Sequence, residues 1–165
     1  MKLNDQSVVV DAPREICFEV VAAAGRRLEE RSIAEWVVEF KTSAGSREFR
    51  TIELLTLERP IAIHYRWLQG PLPEVHETIR FASLGDHKTR LAYTGRFSVG
   101  RGLLGWVIGR LRVKRRFDRL VLEHLQQAKE VAERRATRTR VHLARRKESL
   151  DESSRRDRHR HGGRR

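Results

Sequence analysis

A chain of 165 residues, 39% hydrophobic and 35% charged, has room for one domain with a real core, followed by a tail. Its single cysteine, Cys17, excludes an intramolecular disulfide and leans towards a reducing compartment, and the longest apolar stretch, Leu103 to Gly109, is far too short to span a bilayer. The formal charge of +13 is unevenly placed, with net +6 on residues 1–136 and net +7 on residues 137–165.

Taken in order, Ser7 to Val10 (SVVV) reads as a short strand. Asp11-Ala12-Pro13 then announces a helix by an Asp cap and a proline in the first turn, running from about Pro13 to Ala23. Gly25 to Ser32 (GRRLEERS) reads as a charged connection with a short helical turn at most. From Ile33 onward the period changes from 3.6 to 2: Ala34, Trp36, Val38 and Phe40 alternate with Glu35, Val37, Glu39 and Lys41, a half-buried strand.

After the turn Ser43 to Ser46, Arg47 to Leu57 returns as a strand whose apolar phase slips between Ile52-Leu54 and Leu55-Leu57, which predicts a bulge. Arg59-Pro60 closes it. Ile61 to Gln69 follows with Ile61, Ile63, Tyr65 and Trp67 on one face, and Gly70-Pro71-Leu72-Pro73 breaks the chain. Glu74 to Leu84 and Lys88 to Val99 make a hairpin over Gly85-Asp86-His87, with inward sets Val75, Glu77, Ile79, Phe81 and Leu91, Tyr93, Phe97, Val99. Short turns between consecutive strands predict an antiparallel sheet of six strands in all.

Leu103 to about Ala136 is the one long helix. Leu103, Trp106, Val107, Val113, Phe117, Leu120, Val121, Leu125, Ala128, Val131 and Ala132 fall in one sector, with Arg112, Arg116, Glu123, Glu130 and Arg134 opposite. Arg110, Lys114 and His124 lie on or beside the apolar face, so they snorkel out or face a cavity. The helix start joins Leu103, Leu104 and Trp106 to Arg110, Arg112, Lys114, Arg115 and Arg116. An apolar wedge followed by cations fits peripheral contact with an anionic membrane or another polyanion, and equally fits residues that seal and solvate the edge of a sheet.

Residues 137–165 are nearly free of large apolar side chains after Leu150 and are expected to be a basic, disordered tail, with continuation of the long helix to about Leu143 or further as the alternative. Such a tail attracts nucleic acid weakly by counterion release, or only keeps the protein soluble. Met1 to Gln6 is polar with no signal-type apolar run behind it, so a cytoplasmic location, peripheral at the membrane at most, is expected.

Four stretches, SVVVDAPREICFEVV, LLTLERPIAIHYRW, TRLAYTGRF and RRFDRLVLEHLQQAKEVAE, resemble the START-like (SRPBCC) superfamily, which includes polyketide cyclases and lipid-transfer domains. The resemblance spans roughly residues 6–135. It implies an α+β helix-grip fold over residues 1–136, in which a curved antiparallel sheet wraps a long C-terminal helix around a cavity. Two departures stand out: six strands are counted where the family usually shows seven, and a single Gly45 stands where the family often has a Gly-x-Gly strand entry.

Residues and resemblance meet at the polar groups on inward faces. Glu77 interrupts an apolar set, and a buried carboxyl needs partners. A mostly apolar pocket with a few converging polar groups suits a small molecule, and the expected ligand-binding side chains are Trp36, Phe40, Tyr65, Trp67, Glu77, Tyr93, Phe117 and His124. The leading expectation is a module that binds or transfers a hydrophobic or amphipathic molecule such as a lipid, isoprenoid or polyketide. A cofactor-independent cyclase or dehydratase-type lyase using Glu77 and His124 as acid and base is the alternative, and a protein bound to RNA or anionic membrane through its basic helix and tail is a third. No cofactor motif is present, and the seven histidines show no ligand spacing, so neither cofactor nor metal is expected.

Overall fold

A computed structural model describes residues 1–44, 47–72, 74–98 and 114–161. Strand β1 (Gln6–Val10) is followed by helix α1 (Arg14–Ala22) and by six strands: β2 (Arg26–Ser32), β3 (Glu35–Ala44), β4 (Arg47–Glu58), β5 (Ala62–Gln69), β6 (Glu74–Ser83) and β7 (Thr89–Ser98). Helix α2 (Lys114–His161) ends the described chain. The sheet is antiparallel throughout, in the order β1-β7-β6-β5-β4-β3-β2. Curved around α2, it forms the expected helix-grip α+β architecture.

The strand missing from the sequence-based count is β2. All of its residues are exposed, so it shows no apolar alternation and reads as a charged loop. Gly25 starts it at φ +79°, and a Cβ there would lie 2.7 Å from Val38 and 2.8 Å from Phe40. Only glycine permits that backbone to pass so close to β3. As an edge strand rich in charge, β2 pairs through its backbone and offers no apolar template to another chain.

The inward face of the sheet carries the core. Val38, Leu55, Ile63, Val75, Phe81, Leu91 and Phe97 are buried on it, with Phe18 and Val21 from α1 and Val121, Leu125, Ala132 and Ala136 from α2. The α2 contributions recur every three or four residues, as the amphipathic pattern requires. Side chains on this face shrink from Phe117 to Ala136, which brings the later turns against β1 and α1. Polar contacts lock them there: Lys129 donates to the Val9 carbonyl (2.5 Å), Glu133 accepts from the Asp11 amide (2.9 Å), and Arg140 donates to the Asp11 carbonyl (3.0 Å). Asp11 therefore does not cap α1, whose N-cap is Pro13 without a side-chain bond.

Two further expectations change. The irregularity in β4 is real but belongs to its partner: the register runs Ile52 to Gln69 and then Glu53 to Trp67, leaving Leu68 of β5 as the extra residue. Along β4 itself the buried positions are Thr51, Glu53, Leu55 and Leu57, so Ile52 and Leu54 lie on the outer face. The segment expected to be a disordered tail continues α2 as far as His161. Nothing from Arg110 to His161 is proline or glycine, so no breaker stops the helix before Gly162-Gly163. At about 1.5 Å per residue, α2 outreaches any domain of this size, and Arg140 still bonds to the Asp11 carbonyl. The expected helix start, with Leu103, Leu104, Trp106, Arg110 and Arg112, lies outside the described residues, as does Val99.

Candidate functional site

Two hollows lie between the inner face of the sheet and α2. A smaller chamber of about 360 Å³ is walled by Phe49, Trp67, Leu72 and Phe117, with Glu53, Glu77 and Thr51 on its polar side. A larger one of about 560 Å³ takes Phe40, Tyr65, Ile79 and Tyr93 from the sheet, Val20 and Val21 from α1, and Leu125, Ala128 and Val131 from α2. Thr42 and His124 line both. A hollow of about 780 Å³ lies elsewhere, on the outer face, among Thr56, His64, Arg66, His76, Thr78 and Arg96. Its lining is mainly polar and charged, unlike the aromatic walls that enclose an apolar ligand.

The polar side of the small chamber is a stripe running across four strands. Glu53 of β4 faces Trp67 of β5, Tyr65 of β5 faces Glu77 of β6, and Glu77 faces Gly95 of β7. Each step follows from strand geometry, because residues two apart share a face and opposed residues lie within side-chain reach. Glu77 takes a hydrogen bond on each oxygen, from the Tyr93 hydroxyl (2.6 Å) and the Trp67 indole N–H (3.1 Å). Glu53 takes one, from the Thr51 hydroxyl (2.6 Å).

Burial dominates the electrostatics. Loss of water pushes the Glu53 carboxyl up to about 8, helped by the neighbouring Glu77 and opposed by Thr51. Burial also raises Glu77, against the pull of Tyr93 and Trp67. With two donors against one, Glu77 is the better place for the negative charge and Glu53 for the proton. Tyr65 and Tyr93 are both raised, first by burial and then by these acids, and stay neutral. His124 is lowered by burial, which favours the neutral imidazole. The chamber therefore sets two raised carboxyls side by side, of which Glu77 has the donors that favour its anion.

Of the expected ligand-binding residues, Phe40, Tyr65, Trp67, Glu77, Tyr93, Phe117 and His124 line one chamber or both. Trp36 lines neither. It is a core residue, buried opposite Leu55, with the Arg27 guanidinium 3.6 Å above its ring and that of Arg59 at 5.3 Å. Its inward phase is right, but in the register it stands between Glu30 of β2 and Leu55 of β4, covered by two guanidiniums. Glu53 is the site residue that the sequence reading missed. Its signal was the odd-numbered phase of Leu55 and Leu57, which continued backwards reaches Glu53 and Thr51. Among the described cations of the helix start, Lys114 is half-buried and Arg115 exposed, while exposed Arg116 lines the small chamber with its guanidinium 5.6 Å from the Phe49 ring centre. Cys17 is fully buried, with its thiol raised by burial, as a core residue should be.

No described group of three or more His, Cys, Asp or Glu side chains could hold a metal ion, and no described helix is long and apolar enough to cross a membrane. No family sequence model matches the chain, and no curated protein matches it. Solved structures do. The protein TTHA0849 of Thermus thermophilus superposes with a TM-score of 0.67 at 14% identity, over 80% of this chain and 97% of that one. The Zhui aromatase/cyclase of Streptomyces sp. R1128 gives 0.63 at 22%, over 84% and 94%. The two-domain aromatase/cyclase StfQ of the steffimycin biosynthetic pathway gives 0.66 at 16%, and this chain spans 52% of it. A START superfamily protein from Mycobacterium smegmatis gives 0.55 at 14%, over 84% and 99%. At these identities the likeness concerns architecture, and on that ground the chain has the helix-grip fold of START-like proteins.

Proposed function

We propose that the protein binds a hydrophobic or amphipathic small molecule in the two chambers between the sheet and α2. One observation carries this reading: the Glu77 carboxyl, fixed by Trp67 and Tyr93, opens onto an aromatic-walled hollow where a structural carboxyl would be sealed in packed side chains. The test is native mass spectrometry of protein purified from its own cells, followed by organic extraction. A stoichiometric apolar adduct, displaced when the chamber is filled by Ala128→Phe, supports the reading. A clean apo mass together with failure to bind any member of a panel of apolar fluorophores overturns it.

A second reading is favoured by the pairing of Glu53, pushed up to about 8, with Glu77, whose two hydrogen-bond donors favour its anion. Such a pair supplies an acid and a base to one bound molecule, the requirement of a cyclase or dehydratase-type enzyme, and two similar folds are described as aromatase/cyclases. Here Glu77 as base removes a proton α to a ligand carbonyl, and Glu53 protonates the alkoxide formed as the new carbon–carbon bond closes. His124, expected from the sequence as the partner of Glu77, stands on the wall common to both chambers. Incubation with a short poly-β-ketone is the check: turnover lost in Glu77→Gln, with ligand affinity retained, supports catalysis, and unchanged turnover excludes this role for Glu77.

A further inference from the structure

The outer face of the sheet carries a cationic hollow, on the far side of the strands from both chambers. Alternation turns His64 and Arg66 of β5, His76 and Thr78 of β6, and Thr94 and Arg96 of β7 outward, since residues two apart share a face. The register then sorts them into two rows. Arg66 stands opposite His76, His76 opposite Arg96, and Arg96 opposite Lys2 of the N-terminal segment. Beside that row run Thr56, His64, Thr78 and Thr94. Both rows line the hollow of about 780 Å³, to which Met1 and Leu54 add apolar surface.

The charge there is one-sided. Glu77 is the one carboxyl among the lining residues, and its oxygens are held on the inner face by Trp67 and Tyr93. Glu58 and Glu74 reach His64 and His76 from outside the lining, at 3.7 Å and 3.3 Å, and Asp5 pairs with Lys2 at 2.9 Å. Among the described residues no acid pairs with Arg66 or Arg96. Lys2 and Arg96 set like charges opposite each other, an arrangement that costs stability until an anion joins them. Strands about 4.8 Å apart put the Cα atoms of Arg66 and Arg96 about 10 Å apart across His76, so both long side chains can reach one tetrahedral anion from opposite sides. Guanidinium forks flanked by hydroxyl donors are what recognises phosphate.

We propose that this outer hollow binds a small phosphate monoester, its phosphate seated between Arg66 and Arg96 over His76 and its hydroxylated body along Thr56, His64 and Thr78. The site is independent of the chambers around Glu77 and adds a second ligand to the protein. Its volume lies within the range of small-molecule sites. Its walls choose the body: threonine hydroxyls and imidazole nitrogens give and accept hydrogen bonds, and the His64 ring is already held by the Thr78 hydroxyl at 3.0 Å. The Tyr65 ring packs on the inner face against Phe40, so it offers no outer surface on which a base could stack. A sugar or polyol phosphate fits this lining better than a nucleotide. The cations line a concavity, which suits a small ester better than the surface of a membrane.

The experiment is isothermal titration calorimetry of the full-length protein with ribose 5-phosphate, ribose and inorganic phosphate, at neutral pH and low ionic strength, where exposed charges are least screened. Ribose 5-phosphate is expected to bind about tenfold more tightly than inorganic phosphate, with no heat from ribose. Arg66→Gln and Arg96→Gln should each weaken the ester about fivefold or more, whereas Arg80→Gln, a change on the same face but outside the hollow, should leave it within about twofold. An equal loss in Arg80→Gln overturns the site and assigns the binding to the general positive charge of the chain. Wild-type protein that binds inorganic phosphate as tightly as the ester, or binds neither, overturns it too, and these comparisons need no variant to fold. Sedimentation with phosphatidylcholine vesicles containing phosphatidic acid is the last arm. Protein that ignores ribose 5-phosphate yet sediments with these vesicles, and loses this in Arg66→Gln, takes a lipid headgroup on this face, which overturns the soluble ester.

Discussion

Tyr93 reaches Glu77 across Gly95, the one residue of β7 without a side chain. The phenol leans along its own strand and donates at 2.6 Å to Glu77 Oε1, opposite Gly95 in the register. A Cβ on Gly95 would stand 2.5 Å from the Tyr93 hydroxyl oxygen and 2.8 Å from Leu3 Cδ1, so the glycine is needed for this bond. Gly95→Ala is expected to cost about 1–3 kcal/mol through forced repacking. Tyr93→Phe should cost a similar amount by leaving a Glu77 oxygen short of a donor. Chemical denaturation measures both, and a wild-type midpoint in either variant shows that the bond is not holding the carboxyl.

The acid pair sets a pH dependence of stability. Glu53 is held at about 8 in the folded chain against an ordinary value of 4.5. Its contribution is therefore complete below the ordinary carboxylate range and is lost as pH rises towards about 8, at up to about 1.4 kcal/mol per pH unit. Glu53→Gln keeps an acceptor for Thr51 and removes the titration. The variant should gain on wild type steadily between about pH 5 and pH 8 in urea midpoints, and parallel curves would mean that Glu53 titrates normally.

Glu39 works in the opposite direction. Arg26 and Arg50, which donate to its two oxygens, hold its carboxyl below the usual range. The stability it brings is present above that range and is lost as pH falls through its lowered value. Glu39→Gln should thus be less stable than wild type at neutral pH, with the gap closing in acid. A gap that persists at the lowest pH where the protein stays folded would assign the loss to packing.

Trp36 and Trp67 separate core from cavity wall. Trp36 lies under Arg27 and Arg59, whereas Trp67 lines the small chamber, bonds to Glu77, and packs its ring 5.8 Å from that of Phe117. Trp36→Phe is expected to lower stability by about 1–3 kcal/mol with apolar-probe affinity unchanged. Trp67→Phe should weaken probe binding several-fold and remove a donor from Glu77. Equal effects of the two on binding would place the ligand elsewhere.

A chain cut after His142 keeps the bonds of Lys129 to the Val9 carbonyl, of Glu133 to the Asp11 amide and of Arg140 to the Asp11 carbonyl. Its melting temperature should match that of the full chain. Any retention of the full-length protein on a heparin column that falls with salt should drop sharply, because residues 137–165 hold net +7 and most of that charge is removed. A fall in melting temperature would show that the far end of α2 is part of the domain.

Much of this architecture was legible in the chain. Period-two alternation marked β3, β5, β6 and β7, and recurrence every three or four residues marked α2, because strand and helix geometry place those residues on one face whatever surrounds them. Glu77 stood out as the polar member of an apolar alternation. Glu53 did not, since Ile52 and Leu54 beside it are apolar and yet lie on the outer face, which hid the true phase. Strand β2 carried no pattern, because an exposed edge strand is held by its backbone.

What the sequence determined by itself is thus the set of faces: which side chains share the inner surface of each strand and of the long helix. Local periodicity suffices for that. Only the tertiary structure decided which of them meet. The curvature of the sheet puts Trp36 in solid core and Trp67 on a cavity wall, though both are inward tryptophans. Strand register brings Glu53 to Trp67, and Glu77 to Tyr93 across Gly95. These pairings depend on residues far apart in the chain, and so does the burial that keeps a proton on Glu53.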